Sequence, residues 1–188
     1  MKNGKYIIGI AGGSASGKST FTEKLEEELR PLETKVFHMD SYFKTPEHRP
    51  KAISPINGKS YIDDNHPLTM DLPALGNDIE EYISNGTAKV IIIEGLLTLW
   101  DEKIFNNLDL KLFIDCRADE RIVRRIKRNM EWGQTFEQIS EVYLDLVRFR
   151  HDEYVEPSRW KADLIINGSQ KPSIAVEMIT SWIKNKIK

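Results

Sequence analysis

Residues 12–19 read Gly-Gly-Ser-Ala-Ser-Gly-Lys-Ser and follow directly on the apolar run Tyr6-Ile7-Ile8-Gly9-Ile10-Ala11. The pattern G-x-x-x-x-G-K-[ST], set between an apolar run and a helical one, reads as a strand, a phosphate-binding loop and a helix. Few stretches this short constrain a fold so tightly. Backbone N–H groups converge on phosphate oxygens only where side chains stay out of the way, which Gly12, Gly13 and Gly17 permit, with Ser14, Ala15 and Ser16 completing the loop. Lys18 carries an ammonium to the β- and γ-phosphates, and Ser19 offers a hydroxyl to Mg2+, with Thr20 closing the nucleotide-binding run. The helix that starts here turns its positive dipole end to the same anion.

Apolar runs rich in β-branched residues recur at 6–11, 36–39, 90–93, 110–114 and 164–166, separated by longer stretches with helical patterning. That spacing predicts a three-layer α/β fold with a mostly parallel, five-stranded sheet and crossover helices. The helix after the loop carries Phe21, Leu25 and Leu29 on one face and stops before Pro31. Further helices are expected over 70–83, 118–130, 136–154 and 173–187, the last just after Pro172. Residues 41–67, with Pro46, Pro50, Pro55 and Pro67, show no convincing periodicity. A loop of this length inside a compact domain is more often functional than idle, so the substrate pocket is expected there.

The chain has 188 residues and is 40% hydrophobic, which suits one domain over residues 1–188. With 27 basic and 29 acidic residues the net charge is −2, so no overall attraction to nucleic acid or an anionic membrane follows, and a small-molecule substrate is the better expectation. Cys116 is the only cysteine, no leader pattern precedes the first strand, and no apolar run is long enough to span a bilayer. These features predict a cytoplasmic protein without disulfides or a thiolate zinc site. Self-association into a homo-oligomer is left open.

A phosphate loop by itself says only that a nucleotide binds. In parallel sheets the reaction is sought at the carboxyl ends of the strands. The second strand ends at His38-Met39-Asp40 and runs into Ser41-Tyr42-Phe43. Asp40 there either accepts the proton of a substrate hydroxyl beside the γ-phosphate or caps the following turn. Val90-Ile91-Ile92-Ile93-Glu94-Gly95 ends an apolar strand in one acid, Glu94, either a Mg2+ partner or a solvent-facing terminus. On the helix from Ala118, Arg121, Arg124, Arg125 and Arg128 fall within roughly one third of the circumference. Ile122, Val123, Ile126 and Met130 occupy the opposite side, which is expected to pack. The arginine side then forms a lid over the phosphates, with Arg125 and Arg128 as the preferred pair, or a solvated face balanced by Asp119 and Glu120. His66 either touches a ligand or is satisfied by backbone groups. Trp100, Trp132, Trp160 and Trp182 receive no role.

Taken together, the loop at 12–20, Met39-Asp40-Ser41-Tyr42-Phe43, Asn65-His66-Pro67 followed by Asp71, Ile93-Glu94-Gly95, and Glu156-Pro157-Ser158 followed by Ala162-Asp163-Leu164-Ile165-Ile166 resemble the uridine kinase and phosphoribulokinase family nearly end to end. The resemblance implies ATP and Mg2+ as cofactors, Asp40 as base, Glu94 as a Mg2+ partner and a lid bearing Arg125 and Arg128. It implies an acceptor site with Tyr42, Asp64, Asn65, His66 and Arg121 around it. The family's uridine kinases act on the 5′-hydroxyl of uridine or cytidine. The departures are equally plain. The family's pyrimidine-holding hairpin, which precedes the strand ending in Glu-Gly, is missing, because residues 83–89 pass straight into that strand. The lid's usual Arg-Asp and Arg-Gly-Arg are here Arg128-Asn129 and Trp132-Gly133-Gln134, and Asn65 stands at the ribose-binding Asp, beside Asp64. Transfer to another small alcohol, such as nicotinamide riboside or pantothenate, therefore stands close behind. A regulatory nucleotide-binding protein is the rival from another class, and the chain lacks the Asn-Lys-x-Asp guanine motif that would favour it.

Overall fold

The computed structural model describes residues 1–187. Its strands are β1 (Tyr6–Gly12), β2 (Thr34–His38), β3 (Lys51–Ile53), β4 (Ser60–Ile62), β5 (Val90–Glu94), β6 (Leu110–Asp115) and β7 (Leu164–Asn167). Its helices are α1 (Lys18–Leu29), α2 (Leu72–Asn85), α3 (Glu102–Phe105), α4 (Ala118–Glu131), α5 (Phe136–Val142), α6 (Arg148–Arg150) and α7 (Ser173–Lys186). β2, β5, β1, β6 and β7 lie side by side in that order as one parallel sheet.

Every residue of β1 and β5 is buried, which is why both read as nearly unbroken apolar runs. Ile8, Ile10, Ile92 and Leu112 pack on Phe21, Leu25 and Leu29 of α1 and on Val176, Ile179 and Ile183 of α7. On the opposite face Ile7, Ile91, Ile93 and Phe113 meet Leu75, Ile79 and Ile83 of α2 and Ile104 of α3. Each fully buried isoleucine contributes about 2 kcal/mol through apolar burial, so the centre of the sheet is a stiff base for whatever its edge carries. The chain leaves β1 for β2 at one edge and then runs back through β5 and past β1 to β6 and β7, so the neighbours β1 and β5 send their connections in opposite directions, and the carboxyl ends Gly12, His38, Glu94, Asp115 and Asn167 line a crevice around that point.

Three expectations are corrected. Residues 41–67 are not simply a loop, because β3 and β4 pair there as an antiparallel hairpin. Its strands are too short to show alternation; the bend is built by Ser54 Oγ, which accepts from the N–H of Ile56 and Asn57, and by Gly58 at φ +72°. The helix expected over 136–154 is α-helical only in α5 and α6. It widens into π-turns at Tyr143–Val147 and His151–Val155 and tightens into a 3-10 stretch at Glu156–Lys161. The third correction concerns α4. Its apolar side was expected to pack, yet Val123 is 66% and Met130 50% exposed, while Ile122 and Ile126 are half-buried. The arginine side faces inward because the phosphate loop and the ends of β6 and β7 offer it oxygen acceptors.

Candidate active site

The loop between β1 and α1 bends at Ala15 with φ +62° and at Gly17 with φ +97°, and Gly17 stands just before the first residue of α1. A side chain at Gly13 would lie 2.6 Å from Nη1 of Arg121, so the loop is braced from beneath. Lys18 at the helix start is buried, with Nζ 3.3 Å from Glu94 Oε1. Ser19 Oγ donates to the same oxygen at 3.3 Å. The other oxygen of Glu94 lies 3.1 Å from Nδ1 of His38. A hydroxyl and a buried carboxylate meeting at one point are the hard oxygen donors that Mg2+ takes, so these residues fit that ion.

A cleft of about 790 Å3 opens in front of the loop. Ser14, Lys18, Asp40, Arg125 and Arg128 line its phosphate end. Asp40 sits in the 3-10 turn Met39–Tyr42 that follows β2, with an exposed side chain. From α4, Arg125 Nη1 donates to Ser14 Oγ at 3.0 Å and Arg128 Nη2 to the same oxygen at 3.4 Å. Burial, and then repulsion from Arg128, holds the Arg125 guanidinium below its ordinary range; burial does the same to Arg128, with Asp40 opposing. Two desolvated cations side by side on a phosphate loop are a site prepared for an anion.

Two of the three departures from the family pattern in this segment, Asn129 and Gln134, meet each other. Asn129 Nδ2 donates to Gln134 Oε1 at 2.7 Å, a neutral amide pair. Arg128 keeps its place by donating from Nε to Asn129 Oδ1 at 3.1 Å and by lying 4.8 Å above the Trp132 ring.

The far end of the cleft has Arg49, Ser60, Tyr61, Asp64 and Asn65 on one wall and Gln134, Gln138, Ile139 and Val142 on another. Arg49 pairs with Asp64 at 2.9 Å and stacks 4.8 Å over Phe43. The hairpin is tied to the helical segment across from it. Tyr61 donates its hydroxyl to Asp145 at 2.7 Å, Asn57 also donates to Asp145, Lys59 pairs with Glu141, and Arg150 Nε holds the fully buried Asp63 at 2.6 Å.

Three residues expected around the acceptor lie outside the cleft lining. Tyr42 donates to Asp78 at 2.6 Å, and burial followed by that bond pushes its pKa up to about 12. His66 uses Nδ1 to accept from the Leu68 N–H at 3.1 Å and sets its ring edge-on to Tyr154. Arg121 is buried beneath the phosphate loop, donating to the Cys116 carbonyl at 3.0 Å. Their motif positions were legible; the directions of their side chains were not. Residues that sequence reasoning passed over include Arg49 and Tyr61, whose partners lie elsewhere in the chain. A second hollow, about 300 Å3, is also among them. It lies between α1 and the turn after β7 and is lined by Gly17, Thr20, Arg124, Asn167, Gly168 and Lys171, with Arg124 Nη1 donating to the Gly168 carbonyl at 2.9 Å. The only signal for it was the Asn-Gly-Ser run after a predicted strand.

Residues 65–175 match the sequence pattern of the Phosphoribulokinase / Uridine kinase family. The chain belongs to that family. It is an ATP-dependent kinase. A uridine kinase of Macrococcus caseolyticus is 33% identical over 199 residues, covering 96% of this chain and 97% of its own length. A uridine kinase of Bacillus subtilis is 30% identical over 207 residues, covering 98% and 96%. Among solved structures, the phosphoribulokinase of Rhodobacter spheroides superposes with a TM-score of 0.66 at 14% identity, over 89% of this chain and 74% of its own. That likeness is one of fold, and it extends the kinase fold with its parallel five-stranded sheet to this chain. No described helix is long and apolar enough to cross a membrane.

Proposed function

We propose that residues 1–188 act as one kinase domain that moves the γ-phosphate of ATP, with Mg2+, to a hydroxyl of a small metabolite, the 5′-hydroxyl of uridine or cytidine first among acceptors. The observation that carries this reading is the convergence of Asp40, Lys18, Arg125 and Arg128 on one cleft in front of the phosphate loop. Uridine kinases similar over nearly the whole chain support the choice of acceptor.

In this reading the loop N–H groups of residues 12–20 and Lys18 bind the phosphates, and the hollow beside Arg124 and Asn167 takes the base. Ser19 and Glu94 would hold Mg2+, which neutralises phosphate charge when bound. Asp40 accepts the proton of the acceptor hydroxyl as that oxygen bonds to phosphorus, while the bond to the β–γ bridging oxygen breaks and ADP leaves. Arg125 and Arg128 stay aimed at the transferring group and screen its charge from water. Asp64 and Asn65 supply an acceptor-only carboxylate and an amide for hydroxyls of the substrate.

The test is ADP release from Mg-ATP against uridine, cytidine, nicotinamide riboside, pantothenate and small sugars, with Asp40→Asn alongside. Release stimulated by uridine or cytidine and lost in the variant supports the reading. Stimulation by another compound reassigns the acceptor, and ATP binding with no stimulated release favours a regulatory protein.

A further inference from the structure

His38 stands in register with Glu94 on the neighbouring parallel strand, so both side chains leave the sheet on the face that α1 covers. Glu94 is 4% exposed, and a carboxylate that dry must be held by partners at both oxygens. Its Oε1 is held by Lys18 Nζ and Ser19 Oγ, both at 3.3 Å. Its Oε2 faces His38 Nδ1 at 3.1 Å. A carboxylate oxygen can only accept, so Nδ1 is the donor.

The two sides differ in what nucleotide does to them. The proposed function sends Lys18 to the phosphates and Ser19 to the metal, which withdraws both partners of Oε1 in the loaded enzyme. The His38 bond comes from β2 and takes no part in that exchange. We infer that His38 is a positioning residue: it pins Oε2 of Glu94, fixes the plane of the carboxylate, and so keeps Oε1 turned toward the metal position when the loop residues leave it. Outer partners of this kind commonly change metal affinity by about 10–100-fold when removed.

This rests on the proposed role of Glu94, and the experiment separates the two. Mn2+ binding to the protein–ADP complex is titrated by the paramagnetic resonance of free Mn2+, next to the Mg2+ dependence of turnover and metal-free ATP binding, for the parent, Glu94→Gln, His38→Ala and His38→Asn. The inference expects His38→Ala to weaken Mn2+ binding and raise half-saturating Mg2+ by about tenfold, with metal-free ATP affinity unchanged. His38→Asn, whose amide places a donor near the position of Nδ1, should recover most of that loss. Parent-like metal binding in His38→Ala overturns the inference, as does an Asn variant no better than Ala. Parent-like metal binding in Glu94→Gln overturns the Glu94 reading itself, and the inference with it.

Discussion

The phosphate end of the cleft and the acceptor end are built in opposite ways. At the phosphate end Lys18, Ser19, Asp40 and Glu94 hang from the loop after β1 and from the ends of β2 and β5, where a parallel sheet sets their positions through its backbone, and only Arg125 and Arg128 reach in from α4 by side-chain bonds. At the other end a hairpin of two three-residue strands and an irregular helix are joined by side chains, Tyr61 to Asp145 and Arg150 to Asp63, across 84 and 87 residues of chain. Backbone hydrogen bonds fix one end, and side-chain pairs that a single substitution can remove fix the other. The chemistry is therefore rigid, and the choice of acceptor is open to change.

The largest effect is expected where that rigidity serves the reaction. Asp40→Asn should lower kcat by about 10³-fold, since general-base catalysis supplies about that much, with ATP affinity retained in calorimetry. Equal turnover in the variant and parent would remove Asp40 from the mechanism. Arg150→Met leaves the Asp63 carboxylate buried without its cation, which should lower unfolding free energy by about 3 kcal/mol in urea. The acceptor KM should rise while the ATP KM holds; a shift in both would show that the two ends are one unit. Tyr61→Phe removes one donor from the buried Asp145 and should cost about 1.5 kcal/mol in the same assay, again without touching ATP.

The smallest effect is one of slope. Burial first, and then Arg121, holds His151 below its ordinary value of 6.5, against the pull of Glu156 and Asp152. The unfolded chain takes up a proton on this ring as pH falls below about 6.5 and the folded protein resists it. Stability from this group is thus complete above that pH and is lost on acidification toward the lowered folded value. His151→Gln should make the decline of Tm between about pH 7 and pH 5.5 shallower, and an unchanged slope would clear His151 of that part.

What could be read in the sequence follows the same division. The loop with Lys18 and Ser19, and the acids Asp40 and Glu94 at strand ends, were legible because strand, turn and helix occupy consecutive residues and the sheet brings the ends together. The hairpin was not, because its partners Glu141, Asp145 and Arg150 lie about 80 residues on and leave no local period. That the apolar side of α4 stays largely open was illegible for a related reason. A helical pattern shows which side is charged, but it does not show that Ser14, Cys116 and Gly168 wait with oxygen atoms for the arginines.

The two π-turns behind the acceptor wall each fit one residue more into a helical turn than an α-helix takes. In effect they are insertions that the helix has absorbed without breaking. Each residue of a regular α-helix advances the side chains by about 100°, so deleting one residue of α5, where no π-turn absorbs the change, would swing Arg150 away from Asp63 while leaving the phosphate loop, the sheet and Arg125 and Arg128 in place, whereas a π-turn can lose its extra residue without that swing. A change in length by one residue, rather than any change of residue type, would be enough to redraw the pocket.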